Sequence, residues 1–345
     1  MTRDVERISA LQGAGGELMG RLLKEHVLSR FSRRSAGRIG LDQLDDGATI
    51  DLPQEGEVVI TTDSHVVKPI FFPGGDIGRL AACGTLNDLA VMGARPVALT
   101  LGLVLEEGFP VGDLERVLDS LEVALVEVGA ALVAGDTKVM GRGELDRIVI
   151  NTTGLGVAAG PGGRAIGDAD FAVGDRVVVS GTIGDHGMAL LASREEFHLE
   201  SSLRSDVAAI WPMIERALAI GGVKAMKDPT RGGLAAALNE MARKSQTCLE
   251  VEESAIPVRD EARALADLVG ISPLDVANEG KAVLIVEAAK VGDVLAALRS
   301  HPLGQDAALI GEVTSEYRGR VVLSTGVGGR RFLEMPLGDP VPRIC

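Results

Sequence analysis

Hydrophobic positions in this chain switch between two periods. Leu18, Met19, Leu22, Leu23, His26 and Val27 recur at helical spacing and predict an amphipathic helix over residues 15–30. Residues 32–49 are polar and punctuated by glycine, as in a linker. Short apolar runs then predict strands at Glu57–Thr62, Val97–Leu105, Ala130–Ala134 and Arg147–Val157. Between them, Leu114, Val117, Leu118, Leu121, Leu125 and Val128 form a helical stripe that Asp113 can cap and Gly129 can end. Ala159-Gly160-Pro161-Gly162-Gly163 is the sharpest boundary signal. Beyond it lie strands at Arg176–Ser180, Ala282–Val286 and Ala308–Val313, and a helix through Ile210, Trp211, Ile214 and Leu218 with Ser205 as its cap. The order of elements suits α/β construction in α+β layers more than a strictly alternating parallel fold. The expected divisions are 1–42 (glycine loop, helix and linker), 43–160 and 165–334 (two α/β domains), and 335–345 (a mobile tail).

Composition narrows the chemistry. An apolar fraction of 46% supports real cores, and with only 3% aromatic residues those cores must be aliphatic. The net charge of −14 argues against a general nucleic-acid binder, which needs basic patches. No apolar run reaches the roughly 18 residues of a membrane span. Cys83, Cys248 and Cys345 are widely spaced, an odd count with no CxxC pair and no secretory leader. That pattern fits a reducing cytoplasm and offers no thiolate metal set. The sequence ends in Pro340-Val341-Pro342-Arg343-Ile344-Cys345, a short arm whose prolines resist helix and which can carry a sulfur into a pocket.

Polar, glycine-rich clusters follow the apolar runs. Gly13-Ala14-Gly15-Gly16 precedes the first helix, where Gly15 and Gly16 could admit an anion to backbone N–H groups. No Gly-Lys-Ser/Thr follows, so it is not a Walker A loop. Asp63 in Thr61–His65, Asp88 in Gly84–Ala90 and Asp136 in Ala134–Lys138 are carboxylates without a cysteine or histidine quartet, a set suited to Mg²⁺. Asp88 is expected near a helix start. Lys138 suits a phosphate or a developing negative charge. Lys227-Asp228-Pro229-Thr230-Arg231-Gly232-Gly233 offers a guanidinium beside a helix-opening glycine pair, and Glu279 stands in Ala277–Lys281 just ahead of a strand. His186, in Gly184–Gly187, is either a base or a hydrogen-bonded turn residue.

Taken in order, DSHVVKPIFFPGGDIG (63–78), CGTLNDLA (83–90), AGDTKV (134–139), DPTRGG (228–233), ANEGK (277–281) and PRIC (342–345) resemble the HypE family of hydrogenase maturation factors. That family shares a superfamily of ATP-binding proteins with aminoimidazole ribonucleotide synthetase and selenophosphate synthetase. The resemblance implies a PurM-like two-domain fold whose N-terminal domain dimerises by sheet pairing, with ATP and Mg²⁺ in the cleft. It implies that a HypF-like carbamoyltransferase loads Cys345, and that ATP-dependent dehydration turns the thiocarboxamide into a thiocyanate. The cyano group then passes to iron on a HypC–HypD complex.

By the same resemblance Glu279 is the base, Lys138 stabilises charge, and Asp63, Asp88 and Asp136 hold metal or phosphates. Asn87, Asn151, Asp228, Thr230 and Arg231 belong to the nucleotide site. Leu11-Gln12 stands where relatives commonly have histidine, and Lys227 where arginine is common. Selenophosphate synthetase is disfavoured, since no cysteine precedes Cys83. A non-catalytic ATP-binding scaffold is the reading from another class.

Overall fold

The computed structural model describes residues 16–22, 38, 39, 43, 45, 48–51, 56–194, 201–338, 340, 341 and 344. The first five-stranded sheet has the order β1 (Ala48–Asp51), β2 (Glu57–His65), β7 (Ile148–Ala158), β5 (Ala94–Glu106), β6 (Ala131–Met140). All its pairings are antiparallel except β5–β6. Those two parallel strands are joined by the helix α3 (Val111–Val128), which Gly129 ends at φ 72° as its sequence predicts. Its N-cap is Pro110 and not Asp113, which falls in the first turn.

Helix α2 (Ile77–Val91) packs between this sheet and α3. Its N-cap is Asp76, whose Oδ1 accepts from the Gly78 and Arg79 N–H groups at 2.8 and 3.0 Å. It is buried on nearly every side, so it carries no amphipathic stripe for a sequence reading to find. Gly78 lets the two helices touch, because a Cβ there would lie 1.9 Å from the Val117 carbonyl oxygen. Asp88 therefore sits in the last turn of a helix and not at a helix start.

The second sheet has seven strands in the order β14 (Arg330–Phe332), β13 (Arg320–Ser324), β10 (Cys248–Glu252), β12 (Ala308–Thr314), β8 (Arg176–Val179), β11 (Val283–Val286), β9 (Val223–Lys227). β8 and β11 are short, apolar and buried, as central strands should be. One face carries α6 (Gly233–Ser245) and the other α5 (Trp211–Ile220) with α8 (Val291–Arg299), each over its own aliphatic core. A third cluster joins α2 and α3 to α4 (Asp185–Ser193), α7 (Asp260–Val269), Val341 and Ile344.

The Ser205 cap needs correction. Ser205 does not cap α5; the helix begins at Trp211, and Ser205 bonds to His186 instead. The intervening residues are drawn away from helix because they bond to Glu279 and Asn87. In the tail, Val341 is 0% and Ile344 2% exposed. Of the predicted first helix, α1 (Gly16–Leu22) is described, while Leu23, His26, Val27, Gly15 and Cys345 lie outside the described residues.

Candidate active site

Glu279 lies where the two domains meet. Its N–H donates to Asp206 Oδ1 at 3.0 Å, and its carbonyl accepts from Asn87 Nδ2 at 3.0 Å and from the Ala208 N–H at 3.4 Å. Gly280 allows the close pass, since a Cβ there would stand 1.9 Å from the Asp206 carbonyl oxygen. The backbone is thus clamped while the side chain remains available: Glu279 is 2% exposed, and its Oε1 has no hydrogen-bond partner among the described residues. Burial pushes its carboxyl well above the usual carboxylate range, and Asp228, Asp206 and Asp63 push the same way against the pull of Arg231. A buried carboxyl so placed holds its proton to higher pH than an ordinary carboxylate, as suits a group that exchanges a proton with a substrate.

Asp63 reaches this seam from the end of β2. Burial raises its carboxyl, but the His65 ring, 3.3 Å away, and the Arg231 guanidinium outweigh burial and hold it below the ordinary range. Gly84 on α2 makes room for that pair, as a Cβ would meet His65 Nε2 at 2.7 Å. One position back on the same face, Thr61 Oγ1 donates to Asp88 Oδ2 at 2.7 Å.

The DPTRGG segment is tied to the Glu279 loop by Asn278, whose N–H and Nδ2 both donate to the Pro229 carbonyl, at 3.0 and 3.1 Å. Asp228 is buried, Thr230 half-buried and Arg231 exposed. Gly232 and Gly233 open α6 in left-handed conformations, with φ values of 76° and 62°. Lys227 turns away into a buried ion network, 3.5 Å from Asp168 and 3.2 Å from Glu240.

Asn87 is a buried clamp. Its Nδ2 donates to the carbonyls of Ala208 and Glu279, both at 3.0 Å, and its Oδ1 accepts from the Ile210 N–H at 2.9 Å. Both amide hydrogens are therefore committed to backbone.

The three carboxylates read as a metal set do not converge. Asp136 pairs in register with Gly102, which pairs with Asn151, which pairs with Ser64. Alternation along β2 then sets Asp136, Lys138 and Asn151 on the sheet face opposite Asp63. Lys138 Nζ lies 3.0 Å from Asp136 Oδ2, with both side chains more than two-thirds exposed. Asn151 Nδ2 donates to Ser64 Oγ and the Asp63 carbonyl, each at 2.9 Å. Among the described residues there is no cluster of three or more metal-binding side chains.

Gly16 also has a different neighbour from the anion expected. At φ +69° it faces the tail, and a Cβ would stand 2.2 Å from the Pro336 carbonyl oxygen, which also accepts from the Glu17 N–H at 3.2 Å. The tail leaves the second sheet at Leu333, whose carbonyl accepts from Asn239 Nδ2 at 2.9 Å. Its last described residue, Ile344, lies beside His186, whose Nε2 is 2.8 Å from the Ile344 carbonyl oxygen. Burial lowers the His186 pKa, against the raising pull of Asp206 and of the Ile344 carbonyl.

Sequence reasoning passed over His65 and Asp206. Two-residue alternation from Asp63 marks His65 as sharing its face. Asp206 gives no local signal, because its partners, Glu279 and Lys281, are more than seventy positions away.

The AIR synthase related protein families match both halves of the chain: the N-terminal domain family over residues 44–158 and the C-terminal domain family over 172–324. A Methanocaldococcus jannaschii protein named for hydrogenase expression/formation is 49% identical over 98% of this chain and 100% of its own length. The carbamoyl dehydratase HypE of Escherichia coli is 43% identical over 99% of this chain and 100% of its own. The HypE–HypF complex structure contains a chain matching 91% of this one and 99% of itself, at 40% identity and TM-score 0.84. A HypE structure in complex with ATP matches 97% of this chain and 98% of itself, at 40% identity and TM-score 0.81. With relatives this similar over whole chains, and both halves matched, the chain belongs to the AIR synthase related proteins and, within them, to the carbamoyl dehydratase HypE family.

Proposed function

We propose that this protein uses ATP to dehydrate an S-carbamoyl group on Cys345 to a thiocyanate, the source of the cyanide ligands of a [NiFe]-hydrogenase iron centre. The observation that carries the reading is Glu279: a fully buried carboxyl with a raised pKa, held by both domains beside Asp63 and Arg231. A HypE structure in complex with ATP supports the co-substrate, and the HypE–HypF complex supports loading by a HypF-like carbamoyltransferase.

The amide oxygen of a thiocarboxamide is a poor leaving group. It takes the γ-phosphoryl group as ADP departs, and one N–H proton passes to solvent water. Glu279, ionised, then takes the second N–H proton as the C–O bond breaks, leaving phosphate and a C≡N triple bond. The water formally removed thus leaves as part of phosphate, and Glu279 returns its proton to solvent. Arg231 is placed to hold phosphate oxygens. Mg²⁺ bound with ATP would neutralise phosphate charge, and Asp63, kept ionised, fits as one of the one or two carboxylates such an ion uses. Asp88, Asp228 and Thr230 complete the seam side. Lys138, Asp136 and Asn151 lie on the other sheet face, where in this reading they act on the part of the ligand that reaches that face.

The remaining partners are a HypC–HypD complex that accepts the cyano group and a second copy of the chain. Leu132, Val133 and Val139, exposed on the edge strand β6, support pairing between copies. Among the described residues no helix is long and apolar enough to cross a membrane, and the proposed site of action is the cytoplasm. The domain division at 160–165 belongs to the same reading.

The test is intact-mass analysis of the Cys345 peptide after incubation with the carbamoyltransferase, carbamoyl phosphate and MgATP. Gain of a carbamoyl group followed by ATP-dependent loss of one water is expected. An unmodified Cys345, with the transferase active on a control, overturns the reading.

A further inference from the structure

The tail is seated at Ile344 by a residue that the chemistry above leaves unused. His186 opens α4, is 0% exposed, and lies edge-on to the Phe72 ring at 5.5 Å between centroids. Its two nitrogens have different partners. Nδ1 is 2.7 Å from Ser205 Oγ, and Nε2 is 2.8 Å from the Ile344 carbonyl oxygen.

The direction of each bond follows from the surroundings. The Val207 N–H donates to Ser205 Oγ at 3.0 Å, so the serine proton is free to point at Nδ1. A neutral ring that accepts at Nδ1 carries its proton on Nε2, and a carbonyl oxygen can only accept. The chain of donation therefore runs from Val207 to Ser205, to His186, to Ile344.

The seat around Ile344 is shaped for this arrangement. A Cβ on Gly187 would meet Val276 Cβ at 2.6 Å and Ile344 Cδ1 at 3.2 Å. The Gly187 N–H donates to the Ala277 carbonyl at 3.0 Å, on the loop that carries Glu279 two positions later. Asp206, next to Ser205, holds the Glu279 N–H. One short segment, 205–208, thus fixes both the histidine that holds the tail and the loop that holds the proposed base.

We propose that His186 is the positioning residue that latches the carrier tail: through Ser205 it keeps an N–H aimed at the Ile344 carbonyl, and so holds the peptide bond leading into Cys345 at the Glu279 loop. His186 itself transfers no proton to or from the substrate. The inference rests on the proposed carrier role of Cys345 only for its catalytic consequence; the docking itself needs no carbamoyl chemistry.

Two readouts separate these. The first is the alkylation rate of Cys345 by iodoacetamide in the full chain, followed by peptide mass. The second is single-turnover dehydration after loading by the carbamoyltransferase, with ATP affinity measured alongside. His186→Leu removes both ring bonds, and His186→Gln keeps an N–H donor at nearly the position of Nε2. One net hydrogen bond is worth roughly two- to tenfold in such an equilibrium. The Leu variant is expected to alkylate about fivefold faster and to dehydrate about fivefold slower, with ATP affinity and loading unchanged. The Gln variant is expected close to the parent.

If His186→Leu does not fold, Ser205→Ala decides. It removes the hydroxyl that fixes the ring at Nδ1, so the Nε2–H is aimed less firmly at the carbonyl, and should shift both rates in the same directions. Unchanged rates in the folded Leu variant, or in Ser205→Ala, overturn the latch. So does a Gln variant as impaired as Leu, since the donor would then not be what matters. Failure of the parent protein to load Cys345 overturns the carrier reading instead, and the alkylation rates still decide the latch.

Discussion

Asn87 in the first domain donates a hydrogen bond to the carbonyl oxygen of Glu279 in the second, at 3.0 Å. The same amide holds Ala208 and Ile210, so one buried side chain of α2 sets the position of the proposed base and of the segment beside it.

Removing that clamp leaves buried backbone groups without partners. Asn87→Ala should lower unfolding stability by about 2–4 kcal/mol, since each orphaned buried group costs about 1–3 kcal/mol. Asn87→Asp should be at least as damaging at neutral pH, because a carboxylate would face two carbonyl oxygens. Denaturant unfolding of both variants checks this; an Asp variant as stable as the parent would contradict the donor assignment.

Glu279→Gln should bind ATP and stall after carbamoylation, because an amide cannot accept the proton. In the parent, the dehydration rate should rise with pH through the raised pKa of Glu279, since the base must be ionised. Stability has the opposite slope. A folded-state pKa above the unfolded value makes a contribution that is fully present below the unfolded pKa and is lost as pH rises through the folded one. The Gln variant, uncharged throughout, should therefore gain stability relative to the parent as pH rises from the ordinary carboxylate range. Parallel stability profiles would argue against a buried, proton-holding Glu279.

A second titration is expected away from the site. Burial pushes the Asp45 carboxyl up to about 7, helped by a shared proton with Asp168, whose own charge is held by Lys227 and Lys244. Lys244 Nζ lies 2.6 Å from Asp45 Oδ1 and 2.7 Å from Asp168 Oδ2. The contribution of Asp45 to stability should be intact below its unfolded value and fade as pH rises toward 7. Asp45→Asn should flatten that part of the profile, measured by thermal unfolding across the range.

Gly16→Ala should loosen the tail. The new methyl would stand 2.2 Å from the Pro336 carbonyl oxygen, and φ +69° costs an alanine about 1 kcal/mol besides. Faster alkylation of Cys345, with little change in overall unfolding, is the expected result.

Lys138 offers a contrast of function with stability. Its ion pair with Asp136 is exposed and worth well under about 1 kcal/mol. Lys138→Ala should leave unfolding nearly unchanged while reducing dehydration. Full activity in that variant would remove Lys138 from the proposed site.

Much of the fold was legible because its signals are local. The strands at 57–62, 97–105 and 147–157 and the helix ended by Gly129 all follow from alternation, stripe and turn chemistry. So does the concentration of candidate chemistry in glycine-rich clusters around Asp63, Asp228 and Glu279. Helix α2 escaped because a helix buried all round has no polar face to give it a period. Which candidates meet was beyond the sequence. Asp63 and Asp136 look alike as carboxylates within apolar strands, yet register and two-residue alternation put them on opposite faces. Asn87 looked like a ligand for a nucleotide, and its burial between the domains made it a clamp. Glu279, between Asn278 and Gly280, carries no local sign of burial. Only burial beside three other carboxylates gives it a raised pKa, because desolvation and charge repulsion come from groups distant in sequence and close in space.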